Sequence, residues 1–199
     1  NQLVKFRALH RIWNLWKNAH PELPNLKLSA SNSLRFYSAS DPDSNLLRSA
    51  TAALSAKLGG VSALHLHQAY HHVSQSRPDY EHHAIAQQLL IREEMLLHHY
   101  ADVSCGSYFL ESYTDAMAEK ILFWMHAIQT EGKGLVKALE SGWVDQQLSQ
   151  QAQHMDQKFW ETDDKKIGIN AFISPNPMPL TGKVSEFVFP GLTFEIKRS

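Results

Sequence analysis

The segment from Asp41 to His67 constrains the fold most strongly, because it joins a helix pattern directly to a short strand pattern. Asp41 is a good helix N-cap, and Pro42 suits the first helical turn, where a missing N–H costs nothing. Gly59-Gly60 then ends the helix, and residues 61–67 favour a strand that finishes in histidines. The apolar residues recur at helical spacing and predict one buried stripe: Leu46, Leu47, Ala50, Ala53, Leu54 and Leu58.

A helix that leads into a buried strand is half of a βαβ unit. Ligands in such folds bind at the carboxyl ends of the parallel strands. The sequence therefore predicts an α/β fold and places a candidate site near His65 and His67.

The remaining patterns alternate in the same way. Strands are predicted at 26–31, with an extension through 36–37, and at 167–173. Residues 68–80 favour a loop. Helices are predicted over residues 3–19, 81–99, 114–130, 134–142 and 144–160. Strands separated by helices of 10–20 residues are typical of parallel pairing, but only three or four strands are counted.

The composition excludes several classes of partner. The 199 residues carry a net charge of -1, without a basic stripe, so neither nucleic acid nor an anionic membrane is expected as a partner. No apolar run approaches the roughly 20 residues that a membrane helix needs. Cys105 is the single cysteine, which excludes an internal disulfide and fits a reducing compartment. We expect a cytoplasmic protein.

The ordered blocks of the chain resemble one family from about residue 3 to about residue 175. The chain is similar to the C-terminal part of the substrate-binding barrel of methylmalonyl-CoA mutase and related adenosylcobalamin-dependent acyl-CoA mutases. The blocks that carry the resemblance are Asp41-Pro42 with Asn45 and Arg48; Gly59-Gly60, Ser62 and Leu64-His65; Gln87-Gln88 with Arg92-Glu93-Glu94; Asp102 with Gly106-Ser107-Tyr108-Phe109 and Glu111; and Ile167-Gly168-Ile169-Asn170.

The resemblance implies a partial (β/α)8 TIM barrel, namely its C-terminal half with parallel strands and long helices, over residues 1–175. Residues 176–199 would be a C-terminal extension or an edge hairpin. A closed barrel takes about 250 residues, so this chain cannot close one alone. Its open strand edges then predict self-association or a partner that covers them.

By resemblance, Ser33, His65 and Gln88 are the candidate contacts for an acyl-CoA substrate. The chain also departs from the family. Residues 31–35 keep only Ser33 of a coenzyme A-binding pattern, Arg-Thr-Ser-Gly-Trp, and residues 64–67 keep the histidine of Leu-His-Thr-Asn but replace the asparagine. Nothing in the sequence resembles the cobalamin-binding motif Asp-x-His-x-x-Gly.

With these departures, the chain is most similar to the small, non-catalytic subunit of the heterodimeric mutases. The parent complex would be an isomerase that interconverts methylmalonyl-CoA and succinyl-CoA, with adenosylcobalamin as its cofactor. We expect that this chain alone binds no cobalamin and does not catalyse the reaction. The implied partner is a large catalytic mutase subunit.

An alternative follows from the residues themselves. His65 and His67 lie two apart on a strand and therefore point to the same face. A His-x-His pair at a barrel mouth is typical of metal-dependent hydrolases. Such a site needs a carboxylate or a further histidine from another strand, and no Asp or Glu has a compelling claim.

Overall fold

The computed structural model describes residues 2–38, 41–71, 79–100, 102–161, 165–173 and 175. The chain divides into two compact units, Asn1–Ile121 with Ile167–Leu180 and Leu122–Lys166 with Thr181–Ser199. None of the helices in the described part is long and apolar enough to cross a membrane. In chain order the elements are α1 (Gln2–Ala19), β1 (Ser29–Ser31), a 3₁₀ helix (Leu34–Phe36), α2 (Asp43–Leu58), β2 (Ala63–His65), α3 (Asp79–Leu89), a π-helical turn (Leu90–Glu94), a second 3₁₀ helix (Leu97–His99), α4 (Tyr108–Thr130), α5 (Leu135–Glu140) and α6 (Trp143–Glu161).

The first helix confirms the helix predicted over residues 3–19. α1 buries Val4, Ala8 and Ile12, which recur every four residues along one face. Ala8 and Ile12 pack against Ala118 of α4. The helix ends just before His20-Pro21, because proline disfavours a helical conformation in the residue that precedes it.

The two strands pair in parallel, with Ser29 opposite Ala63 and Ser31 opposite His65. Because α2 connects them, the predicted β–α–β unit is present. Ala30 and Leu64 alternate with exposed neighbours and lie on the half-buried side. The polar residues of both strands therefore share the exposed face of the sheet, as far as the structure describes it.

Two predicted strand segments are wrong. The strand does not extend through residues 36–37: Leu34–Phe36 form a 3₁₀ helix with Ser33 at its N-cap, and Tyr37 is its C-cap, whose hydroxyl donates to the His67 carbonyl oxygen at 2.9 Å. Residues 167–173 form a turn closed by a bridge between Ile167 and Ala171. Gly168 has φ +71°, which reverses the chain there.

The buried face of α2 is also different from the prediction. Asn45, Ser49, Ala53 and Ala56 are buried, whereas Leu47 is 72% exposed. Polar side chains occupy the inward positions because they make hydrogen bonds to neighbouring segments.

Asp41 is not the N-cap of α2. The helix begins at Asp43 with Pro42 in the cap position, and the Asp41 carboxylate accepts a hydrogen bond from Ser44 Oγ at 2.5 Å.

The long helix predicted over 81–99 is interrupted. α3 continues into the π-helical turn, and Leu96 then adopts φ 53° before the second 3₁₀ helix. Ile91 is the buried residue here and packs with Ala53 and Leu66. Four apolar residues of this stretch are exposed: Ile85, Leu89, Leu90 and Leu96.

The second unit holds residues 122–130 of α4, followed by α5 and α6. The predicted helices at 134–142 and 144–160 are confirmed, and α4 begins six residues before the predicted start at 114. Ala138 and Ala152 are buried in this unit. Residues 176–199 lie outside the described residues, so the predicted boundary at 175 stays a prediction.

Candidate functional site

The carboxyl ends of the two strands place two predicted site residues at one edge of the sheet. β1 and β2 finish side by side at Ser31 and His65, and the Asn32 N–H donates to the His65 carbonyl oxygen at 3.3 Å. Ser33 follows two residues later and is exposed, with its Oγ accepting from Arg35 N at 3.3 Å. This edge is where a ligand binds in folds of parallel strands.

Three histidines follow one another at this edge. The ring centroids of His65 and His67 are 4.9 Å apart, and those of His67 and His71 are 5.3 Å apart. Leu66 between the first two is buried, so His65 and His67 share a face as predicted. Within the described residues no three His, Cys, Asp or Glu side chains are arranged to hold one metal ion.

Two buried polar residues, Asn32 and Tyr37, form hydrogen bonds with the backbone of His67. Asn32 accepts from the His67 N–H at 2.8 Å through Oδ1, and its Nδ2 donates to the Tyr37 hydroxyl oxygen at 2.5 Å. Burial raises the pKa of Tyr37, although hydrogen bonds with Asn32 and Ser49 oppose the rise. The phenol therefore stays protonated at neutral pH and keeps its hydrogen bond to the His67 carbonyl oxygen.

Gln88 lies on α3 and its side chain donates to the Ala84 carbonyl oxygen of the same helix at 3.2 Å. No hydrogen bond described for it reaches Ser33 or His65. Its neighbour Gln87 joins α3 to α2 by accepting from Ser49 Oγ at 2.7 Å and donating to the Leu46 carbonyl oxygen at 2.9 Å. The structure therefore assigns the interhelical link to Gln87.

A second network of hydrogen bonds, which is partly buried, brings together two sequence blocks that are far apart in the chain. Arg48 donates to the carbonyl oxygen of Ile167 and, at 2.8 Å, to Asn45 Oδ1. Ser38 Oγ donates to the Gly168 carbonyl oxygen at 2.7 Å. The resemblance includes both blocks, Asn45 with Arg48 and Ile167 with Gly168, but it does not predict that they are in contact. Asn45 lies four residues before Ser49, which is also buried, and this polar spacing on one face of α2 is the sequence signal that the face makes polar contacts.

A third cluster centres on Arg7, which is 11% exposed. Its guanidinium pairs with Asp102, donates to Ser104 Oγ at 2.8 Å, and pairs with Glu111 at 2.5 Å. Burial raises the pKa of Asp102, but hydrogen bonds from Ser104 and Arg7 outweigh it and hold that pKa below its ordinary value. Arg7 therefore ties α1 to the loop that precedes α4, a role that the sequence analysis missed.

Together these features define an α/β protein of the class that presents polar side chains at the carboxyl ends of parallel strands. The family model described as "Methylmalonyl-CoA mutase" matches residues 1–185. The chain belongs to the methylmalonyl-CoA mutase family, which confirms the resemblance.

Individual relatives agree with this assignment. The chain is 26% identical over 175 residues to "Methylmalonyl-CoA mutase" of Cereibacter sphaeroides, covering 86% of this chain and 24% of that protein. It is 27% identical over 177 residues to "2-hydroxyisobutanoyl-CoA mutase large subunit" of Aquincola tertiaricarbonis, covering 86% and 31%. It is 24% identical over 183 residues to "Methylmalonyl-CoA mutase large subunit" of Porphyromonas gingivalis, covering 90% and 26%. The chain spans about a quarter to a third of the length of these relatives.

Proposed function

We propose that this chain is the C-terminal half of the substrate-binding TIM barrel of an acyl-CoA mutase, and that it acts as a scaffold or small subunit without activity of its own. The parent reaction would be the isomerisation of methylmalonyl-CoA and succinyl-CoA. The observation that carries the proposal is the family match over residues 1–185 on a chain whose strands pair in parallel around a connecting helix.

The two sides of the sheet support the barrel proposal. Leu64 and Leu66 pack among apolar residues of α2, α3 and the turn that follows α3, whereas Ser31 and His65 lie on the exposed side. In a (β/α)8 barrel the helices surround the strands, and the other side chains of the strands fill the interior. The exposed side would therefore face the barrel interior once the other strands were present.

The acyl-CoA contacts remain proposals for Ser33, His65 and Gln88. Ser33 and His65 lie at the strand edge, where the hydroxyl and the imidazole are able to hydrogen-bond a polar acyl-CoA group. Gln88 would have to exchange its hydrogen bond to Ala84 for one to the substrate.

The described residues do not fit adenosylcobalamin by themselves. A corrin ring placed at the carboxyl ends of β1 and β2 would lie on an exposed two-strand surface that carries Ser31 and His65. We therefore propose that the parent complex holds the cofactor through other residues, and we derive no step through it.

The proposed partner is a large catalytic mutase subunit, or a second copy of the chain joined through the open strand edges, in the cytoplasm. Relatives named as large subunits support a subunit arrangement, since this chain matches only part of each. Nothing in the comparisons supports the metal-dependent hydrolase alternative, which we do not propose.

The first experiment measures turnover. The purified chain would be incubated with methylmalonyl-CoA and adenosylcobalamin, and succinyl-CoA would be quantified by mass spectrometry. We expect no product above the protein-free control. Turnover by the chain alone would refute its assignment as a non-catalytic scaffold.

The second experiment measures acyl-CoA binding by isothermal titration with methylmalonyl-CoA. We expect Ser33→Ala and His65→Ala each to weaken binding about tenfold, which corresponds to the loss of one hydrogen bond worth roughly 1.4 kcal/mol. His98→Ala, a matched exposed histidine on the second 3₁₀ helix, should leave binding unchanged. Equal effects of all three substitutions would contradict the proposed contacts.

A further inference from the structure

We propose that Asn32 is a positioning residue, which holds the ends of β1 and β2 at a fixed separation so that Ser33 and His65 contact one acyl-CoA molecule together. This role rests on the acyl-CoA contacts proposed above for Ser33 and His65. The hydrogen bonds that Asn32 makes across the end of the sheet support it.

The main-chain hydrogen bonds between β1 and β2 follow the pattern of a parallel pair. The Ala63 N–H donates to the Leu28 carbonyl oxygen at 3.1 Å where the pair begins. His67 lies four residues after Ala63, and Asn32 lies four residues after Leu28. Because the bonds of a parallel pair are evenly spaced, the pattern predicts that the His67 N–H donates to the Asn32 carbonyl oxygen. The Asn32 N–H keeps to this pattern by donating to the His65 carbonyl oxygen at 3.3 Å.

The side chain of Asn32 takes the place of its own carbonyl group at this position. Asn32 Oδ1, and not the main-chain oxygen, accepts from the His67 N–H at 2.8 Å. A side-chain amide that bonds to the backbone in this way competes with the regular pairing of the main chain. The main chain therefore leaves the sheet at Ser33, the N-cap of the 3₁₀ helix Leu34–Phe36, while the segment after β2 stays attached to Asn32.

Tyr37 fixes the orientation of the Asn32 amide. Asn32 Nδ2 donates to the Tyr37 hydroxyl oxygen at 2.5 Å, and that hydroxyl donates to the His67 carbonyl oxygen at 2.9 Å. Asn32 is 8% exposed and Tyr37 is 7% exposed. Breaking one of these bonds would leave a buried polar group without its partner, which is unfavourable. The amide is therefore a rigid link between the two strand ends.

This link lies between the two proposed contacts. Ser33 follows Asn32 in the chain, and the His65 carbonyl oxygen accepts from the Asn32 N–H. Ser33 and His65 are exposed whereas Asn32 is buried, so Asn32 acts on a ligand through them. A ligand that contacts both loses less conformational freedom on binding when their separation is already fixed.

Isothermal titration of the full chain with methylmalonyl-CoA measures this role. We expect Asn32→Ala to weaken binding about tenfold, because the two contacts are no longer held together. Asn32→Asp keeps an acceptor for the His67 N–H and should bind within about threefold of the wild type. Tyr37→Phe removes only the hydroxyl and should weaken binding about threefold, which provides a second variant if Asn32→Ala does not fold.

Arg7→Met is the control for a loss of stability alone. Arg7 joins α1 to the loop before α4 and makes its described hydrogen bonds there. Its substitution should lower stability but leave the affinity of the folded chain within about twofold of the wild type. Circular dichroism would confirm that each variant is folded.

A double-mutant cycle separates positioning from a general loss of structure. If Asn32 acts through the two contacts, removing one contact also removes the benefit of fixing their separation. Asn32→Ala should therefore weaken binding by less than about threefold in a chain that already carries His65→Ala. Losses that simply multiply, or an Asn32→Ala variant that binds as tightly as the wild type, would overturn the role of Asn32.

Amide hydrogen exchange tests the hydrogen bond itself without a ligand. The His67 N–H should exchange at least about tenfold faster in Asn32→Ala than in the wild type, and close to the wild-type rate in Asn32→Asp. Unchanged exchange in Asn32→Ala would overturn the positioning role even if acyl-CoA binds. Failure of the wild-type chain to bind methylmalonyl-CoA, with His67 exchange still dependent on Asn32, would instead refute the contacts of Ser33 and His65 and with them this role.

Discussion

Asn45 and Ser38 exchange two hydrogen bonds, in which Asn45 Oδ1 accepts from the Ser38 N–H and Asn45 Nδ2 donates to the Ser38 carbonyl oxygen, both at 2.8 Å. The same Nδ2 donates to the carbonyl oxygen of Ala69 at 2.8 Å. Asn45 is fully buried, so its amide satisfies backbone groups that would otherwise lie out of water without partners. One side chain of α2 thus joins the segments that follow β1 and β2.

The Asn45→Ala substitution should lower the free energy of unfolding by about 2–4 kcal/mol, because it leaves several buried backbone groups unpaired. Urea unfolding followed by circular dichroism measures the change. Asn14→Ala, at an exposed position of α1, is the control and should stay within about 0.5 kcal/mol of the wild type. Equal stability of the two variants would contradict the role of Asn45.

The Arg7→Met substitution should cost about 1–3 kcal/mol, because Arg7 makes charge-assisted hydrogen bonds from a mostly buried position. Arg11→Met is the matched control. Arg11 lies one turn later, is 42% exposed and pairs with Asp115, so its loss should cost no more than about 1 kcal/mol. If Arg11→Met proved the more damaging of the two, the tie between α1 and the loop before α4 would not rest on Arg7.

The pH dependence of unfolding should include a contribution from Asp102. Its pKa is lowered in the folded chain, so the ionised carboxylate stabilises the fold above the unfolded pKa of about 3.9. That contribution is lost as the pH falls through the folded pKa. The stability difference between wild type and Asp102→Asn should therefore be largest between about pH 5 and 7 and shrink below about pH 4.

Urea midpoints measured from pH 7 down to pH 2.5 test this expectation. Arg7→Met should lose part of the same pH dependence, because Arg7 is one of the donors that lower the pKa of Asp102. Parallel curves for wild type and Asp102→Asn over the whole range would show that Asp102 makes no such contribution.

Gly168→Ala should destabilise the chain more than Gly106→Ala. Both glycines have positive φ, +71° and +83°, so each alanine pays a backbone strain of about 1–2 kcal/mol. A Cβ at Gly168 would also lie 2.6 Å from Asp41 Cβ, whereas one at Gly106 meets nothing within 4 Å. The difference between the urea midpoints of the two variants measures the destabilisation that the contact with Asp41 causes. A zero difference would mean that Asp41 moves aside freely.

Part of the fold was predictable because its signals are local. The apolar spacing of α1, the glycines after α2, and the helices α5 and α6 depend on residues within a few turns of one another. The β–α–β order and the shared face of His65 and His67 follow from the same short-range periodicity. The blocks that resemble the mutases were identified from order and identity, and the family match confirms them.

The predictions from the sequence were wrong where distant segments of the chain compete for one position in the fold. Leu47 is apolar and was expected inside, yet Asn45 and Ser49 take the inward face of α2 because Ser38 and Gln87 supply their hydrogen bonds. Residues 167–173 have the composition of a strand, but the contacts of Gly168 with Ser38 hold them in a turn. No local pattern encodes a partner 130 residues away.

The sequence by itself determined the family, the β–α–β order around α2 and most of the helices, because these depend on residue identity and short-range periodicity. The tertiary structure alone decided which polar side chains are buried and what they hold together. Burial of an amide or a guanidinium is favourable only when hydrogen-bond partners from other segments are in place. Only the folded chain brings Asn45 and Arg7 to their partners.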